Sequence, residues 1–176
     1  RSRRREAGAT RARDLGLNVL AAAIGSAFAA TAFANPQGGA VVSGSASFVV
    51  NGKTLTITNA PGTIINWQQF SISQDEITRF IQQNASSAVL NRVVGQDPTQ
   101  ILGQLLSNGR VYLINPNGMV FGKGAVIDVA GFAASTLNMS NADFLSGKHA
   151  FNGTGLEGKI TNLGTRHAAA LGLSER

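Results

Sequence analysis

Residues 110–125 constrain this chain more than any other stretch. A short apolar run, Val111-Tyr112-Leu113-Ile114, stops at Asn115-Pro116-Asn117-Gly118 and restarts as Met119-Val120-Phe121. Three residues of the stop have a job. Asn115 can cap a turn with its side chain, Pro116 presets φ for the first central position, and Gly118 admits positive φ. No ionisable group is placed for chemistry here, and a strand folded sharply back onto its own scaffold suggests a protein whose work is done by its surface shape.

The same punctuation continues on both sides. Phe48-Val49-Val50, then Asn51-Gly52, then residues 53–58 read as a hairpin whose Asn-Gly suits a type I′ turn. Thr54, Thr56 and Thr58 alternate with Leu55 and Ile57, which gives one wet and one dry face. Residues 62–72 and 88–94 form further β-branched segments, with Arg92 placed toward solvent. Ile101, Leu102, Leu105 and Leu106 fit either a helix capped at Asp97-Pro98 or a strand closed by Ser107-Asn108-Gly109, and the neighbouring strands favour the strand. After Gly109 the pattern becomes nearly periodic, with strands at 111–114, 119–121 and 125–129, then Gly131, and a further rung start at residues 159–164. Short strands broken by Gly and Asn suit a parallel β-helix, in which each rung buries its inward face on the next and corner Asn side chains can form ladders. A β-sandwich with the same strand lengths stays open at this point.

The net charge of +6 suggests a polyanion partner until it is mapped. Arg1, Arg3, Arg4, Arg5, Arg11 and Arg13, against Glu6 and Asp14, put +4 before residue 35; the remaining 9 Lys/Arg and 7 Asp/Glu leave +2. The body therefore carries no nucleic-acid signature. The basic start, the weakly apolar run 15–32 and the small-residue end Ala32-Phe33-Ala34 match a secretory signal peptide over 1–34, with the cut expected between Ala34 and Asn35. With no Cys, neither disulfides nor thiolate metal sites are available.

Catalytic constellations are wanting, so no catalytic, metal or cofactor residue is assigned. His149 and His167 stand in unrelated contexts, and among the body carboxylates only Asp75-Glu76 are adjacent. Strand neighbours point to opposite faces, so even that pair cannot share a task. Gly118-x-x-x-Gly122-Lys123 is one residue short of a phosphate loop and lacks the Ser/Thr after Lys. Asn84, Asn138 and Asn152 begin N-x-S/T triplets read as incidental. A sugar-binding or haemagglutinating module, with Trp67, Tyr112 and Phe side chains as stacking platforms, is the alternative to a shape-based role.

The ordered blocks Asn35-Pro36-Gln37-Gly38-Gly39, residues 64–72, residues 87–93, residues 108–118 and Ala134-Ser135-Thr136-Leu137-Asn138, continued by residues 142–147 and Phe151-x-Gly153, resemble one family. It is the N-terminal secretion domain of filamentous-haemagglutinin-type exoproteins, exported by two-partner secretion. The resemblance covers residues 35 to about 165, with 166–176 as the truncated start of further β-helix in a fragment or frameshifted product. It implies a right-handed, single-stranded parallel β-helix with an N-terminal capping hairpin and small extra-helical β elements. It also implies a non-enzymatic secretion address. Such a domain passes the Sec translocon, is recognised by the periplasmic POTRA domains of an outer-membrane β-barrel transporter, and nucleates folding outside a Gram-negative cell. Contact with host glycans would come through a missing passenger. Asn115, Pro116, Asn117 and Gly118 match the family's second signature tetrapeptide, while Asn66, Trp67, Asn91 and Arg92 fall in other family blocks. The family's first tetrapeptide, Asn-Pro-Asn-Leu, is absent, and Arg166 stands where the rung pattern expects an apolar residue.

Overall fold

The computed structural model describes residues 35–164 and the backbone of residues 171–174. The leader 1–34 and Arg166 lie outside the described residues. The body is a parallel β-solenoid of about four turns. Parallel pairing between successive turns removes the β-sandwich alternative, whose sheets are antiparallel.

Two edge strands, β1 (Ala40–Ser43) and β2 (Ala46–Asn51), cap the N-terminal end by antiparallel pairing. The first rung is β3 (Thr54–Asn59) and β4 (Thr63–Trp67). The second is β5 (Ile77–Ile81), β6 (Ala88–Val93) and β7 (Thr99–Ile101). The third is β8 (Gln104–Ile114) and β9 (Met119–Phe121), and the fourth opens with β10 (Val126–Ser135). Strands β3, β5, β8 and β10 stack in parallel on one face; β4, β6 and the second halves of β8 and β10 stack on the next. The third face holds β7, β9 and a later strand, β13 (Ile160–Asn162).

Alternation sets the inside. Leu55, Ile57, Ile65, Phe80, Val89, Leu105, Val111 and Leu113 point into one shared core, each no more than 3% exposed. At about 1.5–3 kcal/mol for each large apolar side chain removed from water, that column is the main stabilising term. The threonines of β3 lie on the outer side, as the alternation requires.

The expected hairpin forms, but its register pairs Asn51 with Thr54. The two loop residues are therefore Gly52 and Lys53, one position later than an Asn51-Gly52 turn. Residues 101–106 are strand and not helix, divided by Leu102-Gly103. A Cβ on Gly103 would stand 2.0 Å from the Ser73 carbonyl oxygen, so only glycine lets the chain turn there. Two expected breaks do not occur: β8 runs through Ser107-Asn108-Gly109, and β10 runs through Gly131. The backbone bends between faces without leaving the sheet. Before the bend Ser107 pairs with Phe80, and after it Arg110 pairs with Ala88. The corner is held by unlike partners and not by an Asn ladder. Gln82 N donates to Asn108 Oδ1 and Asn108 Nδ2 donates back to Gln82 O, both at 2.7 Å. The Gln82 amide occupies the space a Cβ on Gly109 would need.

After β10 the chain leaves the rungs as a strap: β11 (Asn138–Met139), helix α1 (Asn141–Leu145) and β12 (Phe151–Asn152). It returns as β13 (Ile160–Asn162), parallel to β9. The helix was not foreseen. Its cap is legible in Ser140-x-x-Asp143, because Ser140 Oγ accepts from Asp143 N at 3.0 Å. Met139, Phe144 and Phe151 of the strap pack on Ile64, Leu90 and Ile114, which face outward from β4, β6 and β8. Those strands are therefore buried on both sides there, which explains the consecutive apolar residues Ile64-Ile65, Val89-Leu90 and Leu113-Ile114. The last described element, β14 (Leu171–Ser174), pairs in parallel with β10 from Phe132 to Ser135.

Candidate functional site

The corner where β4, β6 and β8 end gathers most of the residues singled out from sequence. Asn115, at 0% exposure, closes its turn twice. Its Oδ1 accepts from Asn117 N at 2.9 Å, and its carbonyl accepts from Gly118 N at 3.1 Å. Its Nδ2 donates to Asp97 O and to Thr99 Oγ1, each at 3.0 Å. Gly118 has φ +104° and lies against the Lys159 carbonyl, so no other residue fits without strain.

The turn also joins its neighbours above and below. Asn117 Nδ2 donates to Gly95 O at 2.8 Å, toward the preceding rung. Pro116 O accepts from Gly158 N at 2.7 Å, toward the following one. Three successive turns are thus fastened through four residues. Asn115 and Gly118 are interior, whereas Pro116 and Asn117 are exposed.

A second cluster lies one or two residues before this corner. Register places Asn66 beside Arg92 and Ile65 beside Asn91. Asn91 points inward, fully buried, where Trp67 Nε1 donates to its Oδ1 at 2.9 Å. Asn91 Nδ2 donates to Tyr112 O at 3.3 Å, so this polar side chain among apolar ones has partners at both ends. Trp67 meets Phe48 and Phe70 edge to face, at 5.5 and 5.6 Å.

Arg92 points outward, but it is not a free solvent charge as the sequence suggested. Its Nη1 donates to Asn66 Oδ1 at 3.3 Å, Nε to Asn138 Oδ1 at 3.0 Å and Nη2 to Met139 O at 2.6 Å. Burial under the strap pushes its guanidinium below the ordinary arginine value. Asn138, which begins one of the N-x-S/T triplets, is therefore a strap anchor. Asn35, beyond the expected cut, donates from Nδ2 to Lys53 O and accepts from Thr78 Oγ1, both at 3.1 Å.

Sequence reasoning missed Gly95, Thr99 and Gly158. A Cβ on Gly95 would stand 2.0 Å from Gln68 O, and one on Gly158 would stand 2.5 Å from the Asn117 carbonyl group. The glycine spacing was the available signal, but it does not say which backbone approaches. Asp97-Pro98, a candidate helix cap, instead supplies the Asp97 carbonyl to Asn115.

The stacking-platform alternative meets an obstacle in the same geometry. Trp67 is 2% exposed beneath its aromatic neighbours. Tyr112 is half-buried, with His149 stacked on it at 5.4 Å and Phe144 against its edge. Burial raises the Tyr112 hydroxyl above its ordinary value, and the charge of Arg110 opposes the shift. Among the described residues no three His, Cys, Asp or Glu side chains gather as a metal site. Lys53 pairs with Asp75 at the exposed hairpin end.

The sequence model of the TPS secretion domain family matches residues 32–168. A heme/hemopexin-binding protein of Haemophilus influenzae is 40% identical over 128 residues, which is 70% of this chain and 14% of that protein. A second Haemophilus influenzae heme/hemopexin-binding protein is 40% identical over 87 residues, 49% of this chain and 9% of its own length. The crystal structure of the HMW1 secretion domain from Haemophilus influenzae superposes with TM-score 0.74 at 41% identity, covering 79% of this chain and 39% of that one. The chain thus spans a small part of the long relatives it matches.

Proposed function

The chain belongs to the TPS secretion domain family, and from that premise we propose that it is the export address of a larger exoprotein, read before it folds. The partner is an outer-membrane β-barrel transporter with periplasmic POTRA domains. The route begins at the Sec translocon, with leader removal between Ala34 and Asn35, and ends outside a Gram-negative cell. The fold and the family are those of a secretion domain and not of an enzyme family.

One observation carries the reading that recognition precedes folding. Folding spends the polar groups of the signature turn on the protein itself. The Asn115 carboxamide makes three internal hydrogen bonds and is fully buried, and the Asn117 Nδ2 and Pro116 carbonyl are also engaged. A transporter reading Asn115 must meet it in an unfolded or extended chain. Outside, the same residues close three rungs at once, and each rung offers the next a parallel template. What the long relatives bind belongs to proteins of which the matched segment is 14% or less; adhesion to host glycans by this system would lie in a passenger.

The test is export of the 176-residue chain fused to a reporter, with and without the cognate barrel. Export is expected only when the barrel is present. Export without it would overturn the proposal.

A further inference from the structure

Four Asn-Gly pairs occur in the chain, at 51–52, 108–109, 117–118 and 152–153. Asn-Gly is the dipeptide most able to lose ammonia. The glycine nitrogen, having given up its proton to solvent, attacks the Asn Cγ and forms a new C–N bond. The carboxamide C–N bond breaks and ammonia leaves. Water then opens the five-membered imide to Asp or isoAsp. The reaction needs a carboxamide free to rotate and a glycine N–H free to be deprotonated.

Exposure does not separate the four, because all four Asn are exposed. Hydrogen bonding does. At 117–118 the Asn117 carboxamide donates to Gly95 O, and Gly118 N is committed to Asn115 O. At 108–109 both ends of the carboxamide are held by the Gln82 backbone, and Gly109 N donates to Ser107 Oγ at 3.0 Å. Among the described residues neither the Asn51 nor the Asn152 carboxamide has a hydrogen-bond partner, and neither Gly52 N nor Gly153 N donates. The last two sites differ in packing. A Cβ on Gly52 would meet nothing within 4 Å, whereas one on Gly153 would press on Leu137 and Glu157. The hairpin tip thus leaves the space around Gly52 open, whereas the strap is more confined at Gly153.

We propose that Asn51 is a spontaneous deamidation site of the folded domain, with Asn152 a slower second, and that folding shields Asn108 and Asn117. The unfolded chain has no such distinction. Damage at Asn117, in the signature turn, would therefore record time spent unfolded. Conversion at Asn51 would place a new carboxylate beside Lys53 and, as isoAsp, add a backbone atom to the loop that closes β2 on β3.

The experiment incubates the purified 176-residue chain at mildly alkaline pH, folded and in denaturant. Peptide mapping by mass spectrometry and isoaspartyl methylation follow each site. In the folded chain Asn51 is expected to convert at least about tenfold faster than Asn108 and Asn117, because local opening must precede reaction at the held sites. In denaturant the four rates should fall within about threefold of one another. Ser107→Ala, which frees the Gly109 N–H, should speed conversion at Asn108 alone. Equal rates at the four sites in the folded chain, faster reaction at Asn117 than at Asn51, or no conversion at Asn51 would each overturn the proposal.

Discussion

Replacing Asn115 tests whether the signature turn is a structural fastener. Asn115→Ala removes three neutral hydrogen bonds from a fully buried position. At about 1 kcal/mol each, with a buried carbonyl left unpaired, the loss is about 2–4 kcal/mol. Asn115→Asp has nearly the same shape and keeps the oxygen that accepts from Asn117 N. It turns its second oxygen toward the Asp97 carbonyl, which can only accept. At neutral pH that leaves an unpaired buried charge, and the loss should reach about 3–5 kcal/mol, a large share of the 5–15 kcal/mol typical of a domain. The introduced carboxyl should have a folded-state pKa above its unfolded value. Its protonated form, which can donate to Asp97 O, is therefore the tolerated one. The extra destabilisation over Asn115→Ala should appear as pH rises through that folded-state pKa and vanish below the unfolded one. Urea unfolding, followed by the fluorescence of the single tryptophan, Trp67, measures both variants across pH. Two equal losses at pH 7, or losses within about 0.5 kcal/mol of the parent, would refute the reasoning that these bonds hold the turn.

Trp67→Phe keeps the aromatic packing but strands the buried Asn91 Oδ1, and should cost about 1–3 kcal/mol in a urea titration followed by circular dichroism, since the variant has no tryptophan. Arg92→Met removes the two donors that pin the strap, to Asn138 and Met139, and the one that reaches Asn66 on β4; limited proteolysis should then cut within residues 138–152 while amides of the inner strands keep their hydrogen-exchange protection. Glu157, partly exposed, accepts from the backbone of Thr154 and Gly155, which holds its carboxyl below the ordinary 4.5. The support it gives its loop is thus present above the unfolded value and lost as pH falls through the folded one, and an NMR titration midpoint at or above 4.5 would contradict this.

Much of the scaffold is written locally. Alternation in residues 54–58 fixed which side of β3 is wet, and Asn-Pro-Asn-Gly fixed a turn wherever it was placed. Ser140-x-x-Asp143 carries a helix cap that an all-β expectation passed over. Where local signals failed, a second rung had supplied the missing constraint. Gly109 and Gly131 look like strand ends, since glycine is poor in strands. In the solenoid Gly109 makes room for the Gln82 amide, which lies 27 residues away in sequence. Arg92 looks like a solvent charge because its partners, Asn66 and Asn138, come from a different rung and from the strap.

Local sequence settled the wet and dry faces of β3 and the turn at residues 115–118, because each depends on neighbours within a few residues. The stacking of the rungs settled that the tetrapeptide fastens three of them, that Asn91 is buried beside Trp67, and that two of four Asn-Gly pairs are held fast. Those outcomes depend on which backbone arrives from the next turn of the solenoid. That arrival is set by register between segments some twenty residues apart, which no local pattern encodes.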